Sequence, residues 1–589
     1  MKVIYFLHVW FSSLRHRLLP KTTVTDITSR CLRGAGVLLV LVLVLSPVSM
    51  KAQQASTPPT PQDADTIRTL REELKQLQNR LDALEKRESE VHAVAAPTPS
   101  AKTTSPAPTI AAAANAKAKE EPIAPFSDAD WTWLNGNPRN HETPLAGKYF
   151  TPEIRVDTNY NLDFNHPADD TIGGSSEIFR AQEVQIEQMG VGGDFLLDHV
   201  HARFMTQFGM YSVTTPRNDG SPARGQWDLD NAYRYVSEAY GGYHWDAMHG
   251  MNLDAGIFMS YIGLFSYYNF DNWAYQPSFV SSNTPWFFNG VRAQFFPTAH
   301  LKIEPWFING WQSYGRFNSK PGLGGQIKWT PKPWLNIISN NYGYGEDSLG
   351  NPNRSRLHTD NSVEVKYFDK PAAKLDKLAF SLTGDAGCET GNGVSCHGNS
   401  LTNGNVNYKQ SFLGWMLYNR AWFDKDRYAI TVGGGQINNP GRYLVLLPPI
   451  NGATAITGTP YFTENPNDQF HATDGTITYD YMPKEYITFR TEYGYRHASV
   501  PYWTGRGGLT PPGGTTGKSV GNPADYVCLN GGVASDSGVG FGTPLTGVGS
   551  VAAACGGGTG TGAAALSHIW FPDLRHDEQK VTFAIMVKF

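Results

Sequence analysis

The 589-residue chain is 12% aromatic and 17% charged, holds 60 glycines and has a mean hydropathy of −0.37. Soluble domains are about one-quarter charged, so the low charge suits a protein whose outer face meets lipid, while the negative hydropathy excludes a bundle of transmembrane helices. The formal net charge of −4 combines a basic first 52 residues with a remainder of −10, which excludes the basic footprint of a nucleic-acid-binding protein.

Residues 1–52 are predicted to be a secretory signal peptide. Basic residues precede an apolar stretch from Val37 to Leu45, Pro47 ends that stretch, and cleavage is expected after Ala52. A retained membrane anchor is the alternative, which we disfavour because the apolar stretch is short for a membrane span.

A heptad pattern in residues 63–91 predicts a short α-helical coiled coil. Apolar residues recur at alternating steps of three and four, which is the seam of helices that pack against each other. The seam consists of Ile67, Leu70, Leu74, Leu77, Leu81 and Leu84. A lone amphipathic helix is the alternative, but a stripe only two positions wide favours association between helices. Leucine at both seam positions leaves the number of helices open.

The pattern changes twice after the heptads. Residues 92–127 are rich in Ala, Pro, Thr and Ser and predict a disordered, extended linker. In residues 128–589 apolar side chains instead recur with a period of two. In residues 154–164 one face is apolar except for Thr158 and the other is polar. Alternation over about 9–11 residues is typical of the strands of a transmembrane β-barrel.

The connections favour a barrel over a soluble β-sandwich, which would alternate in the same way. The alternation rule gives about sixteen strands, within 14–18. Short connections, such as 330–333, alternate strictly with long ones, such as 437–471. Outer-membrane barrels have short periplasmic turns and longer external loops. We therefore predict an all-β, antiparallel transmembrane barrel. The even strand number puts both of its ends in the periplasm, beside the coiled coil.

Four cysteines follow the predicted signal peptide. Cys388 and Cys396 lie in the sixth predicted external loop, and Cys528 and Cys555 lie in the eighth. Because the exported compartment is oxidising, each local pair is expected to form a disulfide, with free thiols as the alternative.

The third external loop, about Ser260 to Pro285, is unusually aromatic. Such a loop cannot stay in water at low cost, so we expect it to fold inward and constrict the pore. The predicted constriction residues are Phe265, Tyr267, Tyr268, Asn269, Asp271, Trp273, Tyr275 and Gln276. Their polar members are expected to face wall residues such as Arg203 and Arg292. The predicted lumen wall includes Arg155, Arg203, Arg292, Lys328, Arg490 and Glu492. The alternative is that the aromatics cap the barrel rim or form a contact between copies.

We find little sign of catalytic, cofactor or metal chemistry. His199 and His201 share a strand face, but no third ligand stands at a persuasive spacing. Residues 556–562 are rich in glycine but lack the Lys-Ser/Thr ending of a phosphate loop. We therefore expect no catalytic residues, no cofactor, no metal and no enzymatic activity.

Residues 131–589 resemble the OmpL-like β-barrel porin family. The resemblance rests on Trp131-Thr-Trp-Leu-Asn-Gly136, on Gly256-Ile-Phe258 followed by Ile262-Gly263, on Gly290-Val-Arg292, on Gly324-Gly-Gln-Ile-Lys-Trp329 and on Ile430-Thr-Val-Gly-Gly434. It implies a pore in the outer membrane and no particular solute. The heptad segment is similar to the periplasmic N-terminal extensions of some sugar and ion porins that form trimers, which implies a homotrimer.

Three hypotheses for the function remain. The first is an outer-membrane porin, surrounded by lipid and with its N-terminal region in the periplasm, that lets small hydrophilic solutes diffuse passively. The second is a barrel that anchors the outer membrane to the cell wall through a contact of the N-terminal region with peptidoglycan. The third is a sugar-selective pore, since aromatic side chains in a constriction can stack on sugar faces.

Overall fold

A computed structural model describes Lys75 and residues 124–589, except 142, 168–169, 217–218, 220, 222–226, 228, 317–319, 347–353, 392–394, 399–408, 441–468, 500–501 and 507–573. The predicted signal peptide, the seam leucines and nearly all of the linker lie outside the described residues. The coiled coil therefore stays a prediction.

Sixteen antiparallel strands close into one barrel, which confirms the predicted fold class. Each strand pairs with the next along the chain, and the last strand closes the barrel between the first and the fifteenth. The barrel strands are β1 (Phe150–Asp163), β2 (Val184–Leu197), β3 (Val200–Thr206), β4 (Val236–Trp245), β5 (Met251–Met259), β6 (Phe287–Thr298), β7 (Leu301–Ile308), β8 (Gly322–Lys332), β9 (Leu335–Glu346), β10 (Ser355–Asp369), β11 (Leu375–Thr390), β12 (Ser411–Phe423), β13 (Tyr428–Asn439), β14 (Phe470–Lys484), β15 (Ile487–Ala498) and, after the separate two-stranded sheet of β16 (Trp503–Thr504) and β17 (Leu574–Arg575), β18 (Asp577–Lys588).

The period-two pattern sorts side chains between the outside and the lumen. On β18, Phe583 and Ile585 point outward and are 43% and 49% exposed, while their neighbours Thr582 and Ala584 are buried inside. An apolar outer face is what a barrel presents to lipid. The lumen side of the wall is polar and charged, and most of it is covered by other parts of the chain.

The two ends of the barrel differ in the length of their connections. At the short-turn end, 198–199 and 333–334 are two-residue turns, and the barrel's first strand begins and its last strand ends there. At the long-loop end the connections include 260–286 and 440–469. The long loops carry short helical pieces: α1 (Tyr211–Thr214), α2 (Leu229–Tyr233), a 3-10 turn (Asn269–Asp271) and α3 (Phe279–Ser282). Among the described residues, every helix is too short or too polar to cross a bilayer.

Candidate pore and constriction

The loop between β5 and β6, here the constriction loop (residues 260–286), folds into the barrel. Trp273, Tyr275 and Phe279 are 3%, 0% and 2% exposed. Each aromatic side chain has roughly 150–250 Å² of surface to bury. Folding into the lumen removes this surface from water. Among the predicted constriction residues, Tyr267, Tyr268, Asn269, Asp271, Trp273, Tyr275 and Gln276 are buried, and Phe265 is half-buried against Tyr418.

Two wall carboxylates bind the backbone of the constriction loop. Glu492 on β15 accepts hydrogen bonds from the backbone N–H groups of Tyr275 at 2.6 Å and Gln276 at 2.8 Å. Asp474 on β14 accepts from the Ser278 hydroxyl at 2.7 Å and from the Phe279 N–H at 3.0 Å, at the start of α3. A carboxylate that accepts backbone N–H groups of a buried loop satisfies donors that would otherwise be costly to bury.

Two arginines bind the carbonyl groups of the same loop. Arg490 on β15 donates to the Asn272 carbonyl at 2.6 Å, and Arg420 on β12 donates to the Trp273 carbonyl at 3.1 Å. Both guanidinium groups also pair with Asp480 on β14, at 2.6 Å and 2.8 Å. The loop backbone therefore contacts a cluster of charged wall residues in which Asp480 pairs with both arginines.

Strand β1 binds the side chains at the tip of the constriction loop. Arg155 pairs with Asp271 at 3.0 Å. Asp157 accepts hydrogen bonds from the Asn269 amide at 2.9 Å and from the Tyr275 hydroxyl at 2.9 Å. The polar residues of the loop thus meet β1 and the β12–β15 wall.

The prediction that the amides and the carboxylate of the constriction loop face Arg203 and Arg292 is wrong. Arg203 pairs with Glu238 at 2.9 Å, and Arg292 pairs with Asp254 at 2.8 Å while lying over the Tyr240 ring. The reason is geometric, because a loop that folds inward crosses the lumen and meets the wall opposite its root. Arg292 belongs to β6, the strand into which the loop runs.

A segment before the first strand, here the N-terminal segment (residues 131–141), lies inside the short-turn end of the barrel. The Asn135 side chain accepts from the Trp273 N–H at 2.8 Å, and the Asn135 N–H donates to Glu364 on β10 at 2.8 Å. Arg139 donates to the Ile487 carbonyl at 2.6 Å, and burial lowers its pKa to about 10. The N-terminal segment contacts the constriction loop from the short-turn end and narrows the pore at this end.

A cavity of about 290 Å³ lies between the two ends of the constriction loop and the wall of β7–β9. Its wall side carries Lys302, Gln326 and Lys328, and Glu177 of the first long loop also lines it. Lys302 pairs with Glu304 at 2.9 Å. Lys328 has no carboxylate within 4.0 Å among the described residues and lies 5.2 Å from the Phe126 ring. Of the predicted lumen-wall residues, only Lys328 lines this cavity.

One of the two predicted disulfides falls within the described residues. Cys388 and Cys396 are joined by a disulfide, whereas Cys528 and Cys555 lie outside the described residues. His201 bonds Asp254 at 2.5 Å. Within the described part of the chain no group of three or more His, Cys, Asp or Glu side chains is arranged to hold a metal ion.

Two residues that hold the constriction loop, Asp474 and Asp480 on β14, were missed in the sequence. A carboxylate at a lumen-facing position of a strand gives no sign of a special role. The cluster of two tryptophans and an asparagine in residues 131–135 was noticeable, but nothing in its spacing predicted a position inside the barrel.

A closed sixteen-strand barrel with a polar lumen and an inward-folded third loop is a channel of the outer-membrane porin class. The sequence profile of the family described as "Putative beta-barrel porin-2, OmpL-like" matches residues 153–518, and the chain belongs to this family. This places the barrel in the outer membrane, and outer-membrane barrels in general have their short turns at the periplasmic end.

Solved structures similar to this chain are outer-membrane proteins of low sequence identity. OmpT of Vibrio cholerae is 8% identical with a TM-score of 0.37, over 76% of this chain and 99% of that one. The channel DcaP of Acinetobacter baumannii is 10% identical with a TM-score of 0.38, over 75% and 97%. The anion-selective porin of Comamonas acidovorans is 8% identical with a TM-score of 0.35, over 75% and 99%. No curated protein matches the chain.

Proposed function

We propose that this porin lets small hydrophilic solutes diffuse passively, without catalysis or energy coupling. The observation that supports it is the polar cavity beside the constriction loop, whose wall side is Lys302, Gln326 and Lys328. A barrel of about sixteen strands is wide enough for an aqueous channel. The solutes must be small, because the constriction loop and the N-terminal segment both fold into the lumen.

The lysines give the passage a preference for anions. Glu304 and Glu364 are engaged with neighbouring donors, whereas Lys328 has no ion-pair partner in the described residues. In a narrow passage with low-dielectric walls, a lysine that forms no direct ion pair concentrates ions of the opposite sign.

The first prediction concerns Lys328. Wild-type protein in planar bilayers under a potassium chloride gradient should show a reversal potential of the sign expected for chloride. Lys328→Gln should shift that potential toward zero or reverse it. Lys332→Gln is the matched control, since Lys332 lies on the same strand, is exposed and does not line the cavity. Equal effects of the two substitutions would contradict the role of Lys328.

A sugar-selective pore is the second candidate, since Tyr261, Tyr267 and Trp286 also line the cavity. Aromatic rings in a constriction can stack on the apolar faces of sugars. Current block that depends on the sugar would favour this candidate. A folded barrel that carries no current would favour the anchor hypothesis instead.

We further propose that three copies assemble, with the N-terminal regions in the periplasm. The heptad seam of residues 63–91 supports self-association, and the barrel's first strand begins at the periplasmic end, on the same side as the last strand ends. A contact of the N-terminal region with peptidoglycan fits the anchor hypothesis, and binding of the full chain to purified cell-wall sacculi would test it.

A further inference from the structure

Four polar side chains form a closed ring of hydrogen bonds on the outer face of the barrel, here the polar ring. Ser339 and Asn341 lie on β9, and Thr359 and Asn361 lie on β10. Ser339 donates to Asn361 at 2.7 Å, Asn361 to Thr359 at 2.8 Å, Thr359 to Asn341 at 3.0 Å, and Asn341 to Ser339 at 3.2 Å. All four point away from the lumen, because their chain neighbours Asn340 and Asp360 are buried inside it.

The polar ring lies within the apolar outer face and not at its edge. Leu323 and Leu357 flank it toward the long-loop end and are 43% and 46% exposed. Trp329 and Leu382 flank it toward the periplasmic end and are 47% and 43% exposed. A strand surface bordered by apolar side chains on both sides is at the depth of the hydrocarbon core.

The polar ring satisfies only part of its own hydrogen-bonding capacity. A side-chain amide has two N–H donors and two acceptor lone pairs. Asn341 and Asn361 each donate one side-chain hydrogen bond and accept one within the ring, and they form no other side-chain hydrogen bond with described residues. Lipid chains can offer nothing to the remaining donors and acceptors, so polar side chains facing lipid are costly.

The surface around the polar ring is flat enough for another protein surface to approach. Gly325 pairs with Asn341 on one side, and Gly384 pairs with Asn361 on the other. A side-chain carbon added to Gly384 would meet open space. Small residues beside polar ones are typical of packed interfaces within membranes, where they let backbones come close.

From this arrangement we infer that the outer face of β8–β11 lies against a second copy of this chain. A second copy is the occupant because each amide of the ring both donates and accepts, so polar rings that meet at the three-fold axis of the proposed trimer can bond to one another. The heptad seam of the same chain also predicts that copies are held side by side. The inference rests on the proposed assembly and adds the surface that would form it.

Photo-crosslinking tests the occupant directly. Asn361 is replaced by the photoreactive residue p-benzoylphenylalanine in the full chain, and outer membranes are irradiated. The expected product is an adduct of two copies, with the partner identified by mass spectrometry. Thr158 is the matched control, since it is an outward-facing polar residue on β1, seven strands away from β10 around the barrel. Adducts with lipid alone, adducts with another protein, or equal dimer yields at both positions would overturn the inference.

A second variant covers the case in which the bulky photoreactive residue disturbs the contact. Samples are heated to a series of temperatures before electrophoresis. Asn341→Leu with Asn361→Leu should lower the temperature at which the oligomer dissociates, while Thr158→Leu should not. Were the ring to face lipid, the double leucine variant would keep the wild-type dissociation temperature, which would contradict the inference. Conductance is recorded on the same samples. Absence of current through the wild-type protein would contradict the proposed pore, whereas the adduct and the dissociation temperature test only the interface.

Discussion

Arg490 lies where β14, β15 and the constriction loop meet. Its guanidinium binds both oxygens of Asp480 and the carbonyl of Asn272. A guanidinium presents five donors in a planar fork, so it can hold a carboxylate and a backbone carbonyl together, which an ammonium group does less well. The charges of the wall therefore position the loop, and only those beside the remaining cavity are available to solutes.

Removal of Arg490 should loosen the constriction loop. In Arg490→Ala the Asn272 carbonyl loses its donor and Asp480 keeps only Arg420, which lies 2.8 Å away. Breaking a buried ion pair costs about 3–5 kcal/mol, and the remaining Arg420 puts the expected loss of stability at the lower end. Single-channel conductance should rise and the melting temperature should fall. Arg427→Ala is the control, since Arg427 is in an exposed periplasmic turn. Unchanged conductance in folded Arg490→Ala would mean that this arginine does not hold the loop.

Glu177 should make the passage sensitive to pH near neutrality. Burial raises the pKa of this loop carboxyl to about 7, against the opposing effects of the Ser176 hydroxyl and of Arg496 and Lys580. Because the folded pKa lies above the unfolded value, stability from this group is present at low pH and is lost as pH rises through about 7. The same ionisation adds a negative charge beside the cavity, so anion selectivity should fall between pH 6 and pH 8. Reversal potentials across this range measure it, and Glu177→Gln should flatten the profile. A wild-type profile that is already flat would contradict the prediction.

At the scale of elements, the constriction loop is the part whose removal should change the pore most. Deleting Tyr267 to Tyr275 removes aromatic rings buried in the lumen and one of the two N–H groups that Glu492 binds. The deletion would uncover the wall residues Asp157, Arg490 and Glu492. Water could then solvate them, because they are polar. Single-channel conductance should rise while the barrel still shifts on gels when heated. A folded deletion variant with unchanged conductance would show that this loop does not constrict the pore.

The strands were predictable because their signal is local. Alternation with a period of two is visible within any ten residues, and the aromatic density of residues 260–285 already predicted an inward fold. The partners of the loop were not predictable, since Glu492 lies 217 residues from Tyr275 and every lumen arginine has the same local pattern. What separates Arg490 from Arg292 is the angular position of a strand around the closed barrel. The N-terminal segment has no periodicity, so its place beneath the loop could not be read from its sequence.

At the scale of the whole molecule, the pore depends on two segments from different parts of the chain. The constriction loop enters from the long-loop end and the N-terminal segment from the periplasmic end, and they meet at Asn135 and Trp273. The N-terminal segment follows the predicted coiled coil and linker in sequence. The predicted assembly region is therefore close in sequence to the element that supports the constriction loop.

The heptad seam should drive that assembly on its own. In a peptide of residues 60–91, helicity should rise with concentration, because a helix of this length is marginal alone and packing of the seam stabilises it. Leu74→Asp with Leu81→Asp places two carboxylates in the apolar seam and should abolish the concentration dependence measured by circular dichroism and sedimentation. Gln76→Asp with Asn79→Asp adds the same two charges outside the seam and should keep it. If the wild-type peptide remains monomeric at millimolar concentration, the seam does not hold the copies together, and the outer face of β8–β11 would have to do so alone.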